Sequence, residues 1–179
     1  CEGITTPGGF GNMVKPELSL AVFQAVRDVY GTDLPHYFKY VIGGDTASTV
    51  PKLEGVKGAG TDSPELTVNV PAGTGDWFGG WQGDSISDWK RYSNDEATSG
   101  RMVELIQRAE PALMLCHWPG MYSNGSKEGF KSFQRVVTAI GRRFGDRTIW
   151  MKLSEIARYW AAKELTAIKA STNGCSLTA

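Results

Sequence analysis

Of the two histidines in the chain, His117 stands where chemistry is most easily placed. It closes the apolar run Ala112-Leu113-Met114-Leu115-Cys116 and precedes Trp118-Pro119-Gly120-Met121-Tyr122, a loop with rigid turns and aromatic surfaces. In parallel α/β folds functional side chains collect where strands end, because the sheet is rigid there and the loops face outward. An imidazole, whose ordinary pKa lies near neutrality, can take or give a proton at such a position. The alternative for the same residue is a buried histidine hydrogen-bonded to backbone.

A second constellation runs from Trp77 to Trp89. There Asp84 and Asp88 alternate with the flat faces of Trp77, Phe78, Trp81 and Trp89. Sugar C–H groups pack on indole rings while their hydroxyls find carboxylate and amide partners, so a carbohydrate site is one reading of this pattern. The competing reading for each tryptophan is that it buries the loop against the rest of the fold. A third feature is the glycine-rich stretch Thr5-Thr6-Pro7-Gly8-Gly9-Phe10-Gly11-Asn12, whose exposed amides can meet a substrate oxygen. Its spacing matches neither a P-loop nor a dinucleotide fingerprint.

Metal chemistry finds little here. His36 and His117 belong to no H-x-x-x-H or H-E-x-x-H pair. Cys1, Cys116 and Cys175 form no C-x-x-C spacing, which leaves both a zinc ribbon and a disulfide framework unread. Asn124-Gly125-Ser126 fits the glycosylation sequon, a match that matters only in a eukaryotic secretory setting.

The elements that must position these residues follow from the bulk properties of the chain. With 179 residues, 41% hydrophobic and 21% charged, it reads as one globular domain with a real core. Lys plus Arg balances Asp plus Glu at 19 each, which removes the electrostatic footprint of a nucleic-acid binder or a membrane-surface protein. No apolar run approaches the roughly 20 residues that span a bilayer. The spacing of Leu18, Val22, Ala25, Val26 and Val29, between Pro16 and Gly31, predicts a helix over 16–30. Strands are expected at 1–6, at the aromatic run 37–42, and at 66–70, the last as a short interruption of a long loop at about 43–90. Beyond it helix and strand alternate: a helix over 95–109, a strand over 112–117, a helix over 126–143, a strand over 148–152 and a helix over 154–163. Ser154 followed by Glu155 reads as an N-cap with an acid in the first turn. The short apolar strands suit a parallel sheet buried on both faces.

In this setting Leu115-Cys116-His117 resembles the late Leu-x-His motif of the polysaccharide deacetylase family, and Asp88-Trp89 resembles its Asp-Trp motif. The resemblance implies an α/β chain forming the C-terminal part of a distorted (β/α) barrel with mostly parallel strands, over 1–165. Residues 166–179 would begin a following strand or linker. It also implies that Leu115 lines the pocket for the acetyl methyl group and that His117 is the general acid toward the leaving amine. Asp88, or Asp84, would orient His117, and Trp89 would wall the pocket. Thr5-Thr6-Pro7-Gly8-Gly9 takes the place of the family's Arg-x-Pro-Tyr-Gly loop, without its arginine and aromatic. The family's Asp-Asp and His-x-x-x-His motifs have no match in this sequence and would precede Cys1. A divalent metal such as zinc, bound by that upstream half, is therefore implied for a longer parent; none is evident from this chain. Both ends, at Cys1 and after the strand-like 164–179 stretch that stops with no partner strand following, are expected to be internal to something longer.

The expectation is thus a carbohydrate-active hydrolase removing acetyl groups from a glycan. Its catalytic set is His117, Asp88 and Asp84, and its substrate-binding set is Leu115, Trp118, Trp89, Trp81, Tyr122, Pro7 and Gly8. The alternatives are a catalytically inert carbohydrate-binding relative, or a glycosidase of the same barrel type using Asp84 and Asp88. Neither nucleic acid nor membrane is expected as a partner.

Overall fold

The computed structural model describes residues 3–5, 15–31, 36–42, 47–58, 61–62, 64–72, 88–114, 116–122, 125–171 and 174–178. Along them run β1 (Gly3–Thr5), α1 (Pro16–Tyr30), β2 (His36–Ile42), β3 (Lys52–Lys57), β4 (Glu65–Ala72), α2 (Arg101–Gln107), α3 (Trp118–Tyr122), α4 (Glu128–Phe144), α5 (Leu153–Leu165), β5 (Ala167–Ser171) and β6 (Gly174–Thr178), with a 3-10 turn at Trp89–Arg91. The protein is a mixed α/β structure. Its internal contacts divide it into two compact units, one made of Cys1–Val41, Pro51–Val70 and Met151–Ala179, the other of Ile42–Val50 and Pro71–Trp150.

The first unit carries a sheet of order β1-β2-β4-β3. β1 and β2 pair in parallel, with Ile4 opposite Lys39, and α1 is the helix of the crossover between them. The helix keeps the limits its sequence predicts. Pro16 supplies a preset φ in the first turn, and Gly31, at φ 61°, turns the chain left-handed so that its N–H closes on the Arg27 carbonyl. Val22, Phe23 and Val26 are its buried stripe.

β3 pairs antiparallel with β4, setting Glu54 opposite Thr67 and Lys52 opposite Asn69. β4 is buried on both faces: Leu66, Val68, Val70 and Ala72 fill one, Thr67 and Asn69 the other. The polar face is organised by one carboxylate. Glu54 Oε2 accepts from Lys39 Nζ at 3.0 Å, from the Ser19 hydroxyl at 3.2 Å and from Asn69 Nδ2 at 3.2 Å. Lys39 is 1% exposed, and its ammonium also reaches the Lys15 carbonyl at 3.4 Å. One acid thereby joins α1, β2, β3 and β4. At the edge of this unit Glu65 pairs with Arg27 and with Lys57.

The second unit has an apolar core of Tyr92, Ala97, Met102, Val103, Val136, Ala139, Ile140 and Phe144. The last four are the inner stripe of α4, spaced three, one and four residues apart as a helix face requires. Residues 94–100 form a tight turn that leads into α2. The Asn94 side chain accepts from the Thr98 and Ser99 amides at 2.7 and 3.2 Å, and Gly100 sits at φ 113°. A Cβ at Gly100 would lie 2.6 Å from the Tyr92 carbonyl, so this approach admits glycine alone.

Several expectations change. The helix expected over 95–109 begins only at Arg101, because Asn94 gives the backbone a competing set of hydrogen bonds and Gly100 leaves the helical region. Residues 112–117 and 148–152 do not form strands among the described residues: the first makes a single bridge at Met114, and the second is extended with Ile149 and Trp150 80% and 76% exposed. An apolar run is a strand only when a neighbour takes its hydrogen bonds. The described sheet is mixed, with β1 and β2 parallel and β3 antiparallel to β4. β3 itself was hidden inside the long loop of the sequence. The C-terminal stretch does find a partner, as β5 and β6 form an antiparallel hairpin with Ala167 opposite Thr178. Helix α5 starts from Lys152, not Ser154; Glu155 reaches back to accept from the Lys152 amide at 2.7 Å.

A buried charge that loses its partner is strongly destabilising, whereas replacing both partners by apolar groups is often neutral. Lys39→Met is therefore expected to cost about 3 kcal/mol of unfolding free energy, and Lys39→Met combined with Glu54→Leu to recover most of it. Urea unfolding of the three proteins measures both values.

Candidate functional site

The His117 segment lies wholly in the second unit. It follows the bridge at Met114 and leads directly into α3, a single turn with Pro119 in its second position, where the missing N–H costs nothing. Gly120 is the buried residue of that turn, and α3 packs along α4, with Met121 against the core of the unit. The loop expected after His117 is thus a short helix held on a long one. His117 itself is half-buried at its start.

Four residues apart on this turn, Trp118 and Tyr122 project from one face. Their rings are nearly parallel, at an interplanar angle of 10° with centroids 6.1 Å apart. Trp118 is 71% and Tyr122 52% exposed. Two large stacked aromatic rings left largely in water form an exposed apolar feature on the turn that directly follows His117 in the chain.

Asp88 and Trp89 start the 3-10 turn. The Asp88 carboxylate accepts from the Lys90 amide at 3.1 Å and so caps that turn, with its side chain exposed. Trp89 is half-buried and packs against the core cluster, with Lys90 Nζ 5.7 Å from its ring centre and the Arg135 guanidinium 5.2 Å from it. In this position the indole is a structural edge of the core as well as a cation-holding face. Leu115, Trp81, Asp84, Pro7 and Gly8 lie outside the described residues, as does most of the tryptophan loop. Cys116, beside His117, is exposed.

Two features of the same unit were missed in the sequence. The first is a polar latch. The Glu110 Oε2 atom accepts from the Thr49 amide at 2.8 Å and from the Ser48 hydroxyl at 2.9 Å, while the Thr49 hydroxyl donates to the Pro111 carbonyl at 2.6 Å. Arg108 lies 3.3 Å from the other carboxylate oxygen, and Arg101 donates to the Ala47 carbonyl. These bonds fix the backbone that enters the Ala112–His117 segment. Burial raises the Glu110 pKa, but the Thr49 amide, the Ser48 hydroxyl, Arg108 and the Thr49 hydroxyl together outweigh it and hold the carboxyl below its usual value.

The second is a pocket of about 260 Å³ between α4 and the 94–100 turn, lined by Asp95, Gln134, Arg135, Thr138, Ala139 and Arg142. Residues 134, 135, 138 and 142 recur at helical steps on the outer face of α4, a pattern that reads in sequence as ordinary solvated surface. Only the turn bringing Asp95 alongside makes it concave.

Among the described residues no group of three His, Cys, Asp or Glu side chains is placed to hold a metal ion. No described helix is long and apolar enough to cross a membrane. Compared with protein-family models, with curated proteins and with solved structures, the chain finds no match.

Because the folded-state pKa of Glu110 is lowered, its contribution is present above the ordinary carboxylate range and is lost as pH falls through the lowered value. Glu110→Gln is expected to be less stable than the parent by about 1–2 kcal/mol at pH 7, with the gap closing as the solution is acidified. Thermal unfolding of both proteins between pH 7 and pH 3 measures that gap; a gap that widens toward acid would contradict the latch.

Proposed function

We propose that the chain is part of a carbohydrate-active hydrolase resembling polysaccharide deacetylases, acting on acetyl groups of a glycan. The observation that carries the reading is the exposed, nearly parallel Trp118–Tyr122 pair set immediately after His117. A pyranose ring lays its C–H face on such a platform and keeps its hydroxyls in water, which brings one substituent of the ring toward the imidazole. Water adds to the acetyl carbon and loses a proton to solvent, the bond from that carbon to the sugar nitrogen or oxygen breaks, and His117 gives its proton to the departing atom, so that acetate leaves. In the resemblance, Leu115 borders the acetyl methyl and Asp88 or Asp84 orients the imidazole.

The finer fold that accompanies this reading is the C-terminal part of a distorted (β/α) barrel. The parallel β1–α1–β2 unit supports it, since that is the repeating element of such barrels. The family's divalent metal does not fit the described residues, which offer no three-ligand group. The proton transfer assigned to His117 rests on its position alone.

A second reading, a carbohydrate-binding protein without turnover, is favoured by the same platform, because stacking rings need no proton donor.

The test is acetate release, followed by NMR, from N-acetylglucosamine oligomers and O-acetylated xylo-oligomers, with affinity read separately by calorimetry. Trp118→Ala is expected to weaken binding about tenfold. His117→Ala is expected to keep affinity while release falls by about 10²- to 10⁴-fold. Binding without release in the parent selects the second reading, and neither binding nor release sinks both.

A further inference from the structure

The pocket on α4 is lined by two arginines, Arg135 and Arg142, and one carboxylate, Asp95. Other charged residues on and just after α4 are engaged: Lys131 pairs with Glu128, Arg147 pairs with Asp146, and Arg143 and Arg147 both lie over the Phe144 ring. Arg135 and Arg142 have no ion-pair partner among the described residues, although Asp95 lines the same pocket. Seven residues apart, they stand two turns from each other on one face, roughly 10 Å along the axis. Both line the pocket together with Gln134, Thr138 and the buried Ala139.

Two like charges lining one hollow repel, and an anion bound there turns that repulsion into attraction. Guanidinium is the group best suited to this, since it presents a planar fork of donors to carboxylate or phosphate oxygens. The rest of the lining sets the body of the ligand. The Gln134 amide and the Thr138 hydroxyl both donate and accept, and the Asp95 carboxylate only accepts, which together suit hydroxyl groups and no apolar surface. A volume of about 260 Å³ is below the usual span of drug-sized sites and admits one ring-sized molecule.

We propose that this pocket is a binding site for a hydroxylated ring bearing a single anionic group, a sugar acid or a sugar phosphate, with Arg135 and Arg142 holding the anion and Asp95, Gln134 and Thr138 the hydroxyls. This deepens the carbohydrate reading by naming the charge of the sugar unit, and it rests on that reading only for the hydroxylated body. Arg135 joins the pocket to the Trp89 ring, so an anion that draws its guanidinium inward also changes the face that the core presents there.

Calorimetric titration with glucuronate, glucose 6-phosphate, glucose and inorganic phosphate tests it, on the parent and on Arg142→Gln, Arg135→Lys and Asp95→Asn. At least one of the two charged sugars is expected to bind about tenfold tighter than both glucose and phosphate, and whichever does so identifies the anion as carboxylate or phosphate. Arg142→Gln is expected to remove that advantage, Asp95→Asn to strengthen binding by lifting a like charge from the wall, and Arg135→Lys to weaken it while keeping a cation over Trp89. Thermal unfolding of each variant confirms that it is folded. The proposal is overturned if neither charged sugar binds tighter than glucose, if phosphate alone matches the tighter of the two charged sugars, or if Arg142→Gln leaves every affinity within twofold. Because Trp118→Ala leaves these titrations untouched, failure here is distinguishable from failure of the His117 site.

Discussion

Lys39 places an ammonium in the interior of the first unit, and the Glu54 carboxylate is the charge that answers it. An isolated charge in that environment is untenable, so the pair must form whenever the sheet forms. The demand sets the register of β3: a slip of one residue would carry Glu54 to the opposite face and strand Lys39. It also sets the rotation of α1, since the Ser19 hydroxyl has to point at the same oxygen. Apolar burial drives the assembly of α1 and the strands, but burial is tolerant of small shifts. The ion pair is not, and it selects one arrangement among many that would bury comparable area.

The second unit solves its problem with backbone instead of charge. Asn94 folds the 94–100 turn on itself, Gly100 lets that turn touch Tyr92, and Glu110 ties the 48–49 segment to the approach to His117. Each device fixes main chain by side-chain acceptors at positions where neither helix nor sheet is available. The consequence is that the candidate site is carried by a short turn on a rigid support. α3 would be marginal in isolation, yet α4 beneath it is seventeen residues long with a continuous buried stripe.

Much of this was written locally. Pro16 and Gly31 mark both ends of α1, and the β-branched and aromatic runs at 37–42 and 66–70 become β2 and β4, because those signals depend on neighbours in sequence. β3 was illegible for the opposite reason: Lys52-Leu53-Glu54-Gly55-Val56-Lys57 has weak strand propensity and owes its state to β4 and to the need of Lys39 for Glu54. The reverse error, strands at 112–117 and 148–152, came from apolar runs that meet no sheet among the described residues. For the site, residue types near His117 drew attention to this turn, but the stacking of Trp118 and Tyr122 needed a helix that Pro119-Gly120 disguised as a loop. The Arg135–Arg142 pocket could not be read at all, since its second wall is contributed from forty residues upstream.

Trp89 carries a consequence of a different order. Its indole is flanked by two cations, one from its own turn and one from the wall of the pocket. The emission of an indole follows the electric field across its ring, so the position of the Arg135 guanidinium is written into the fluorescence of the molecule. Among the six indoles of the chain, Trp89 thus shares a cation with the wall of the pocket, and its share of the emission is the part that an anion bound there would shift.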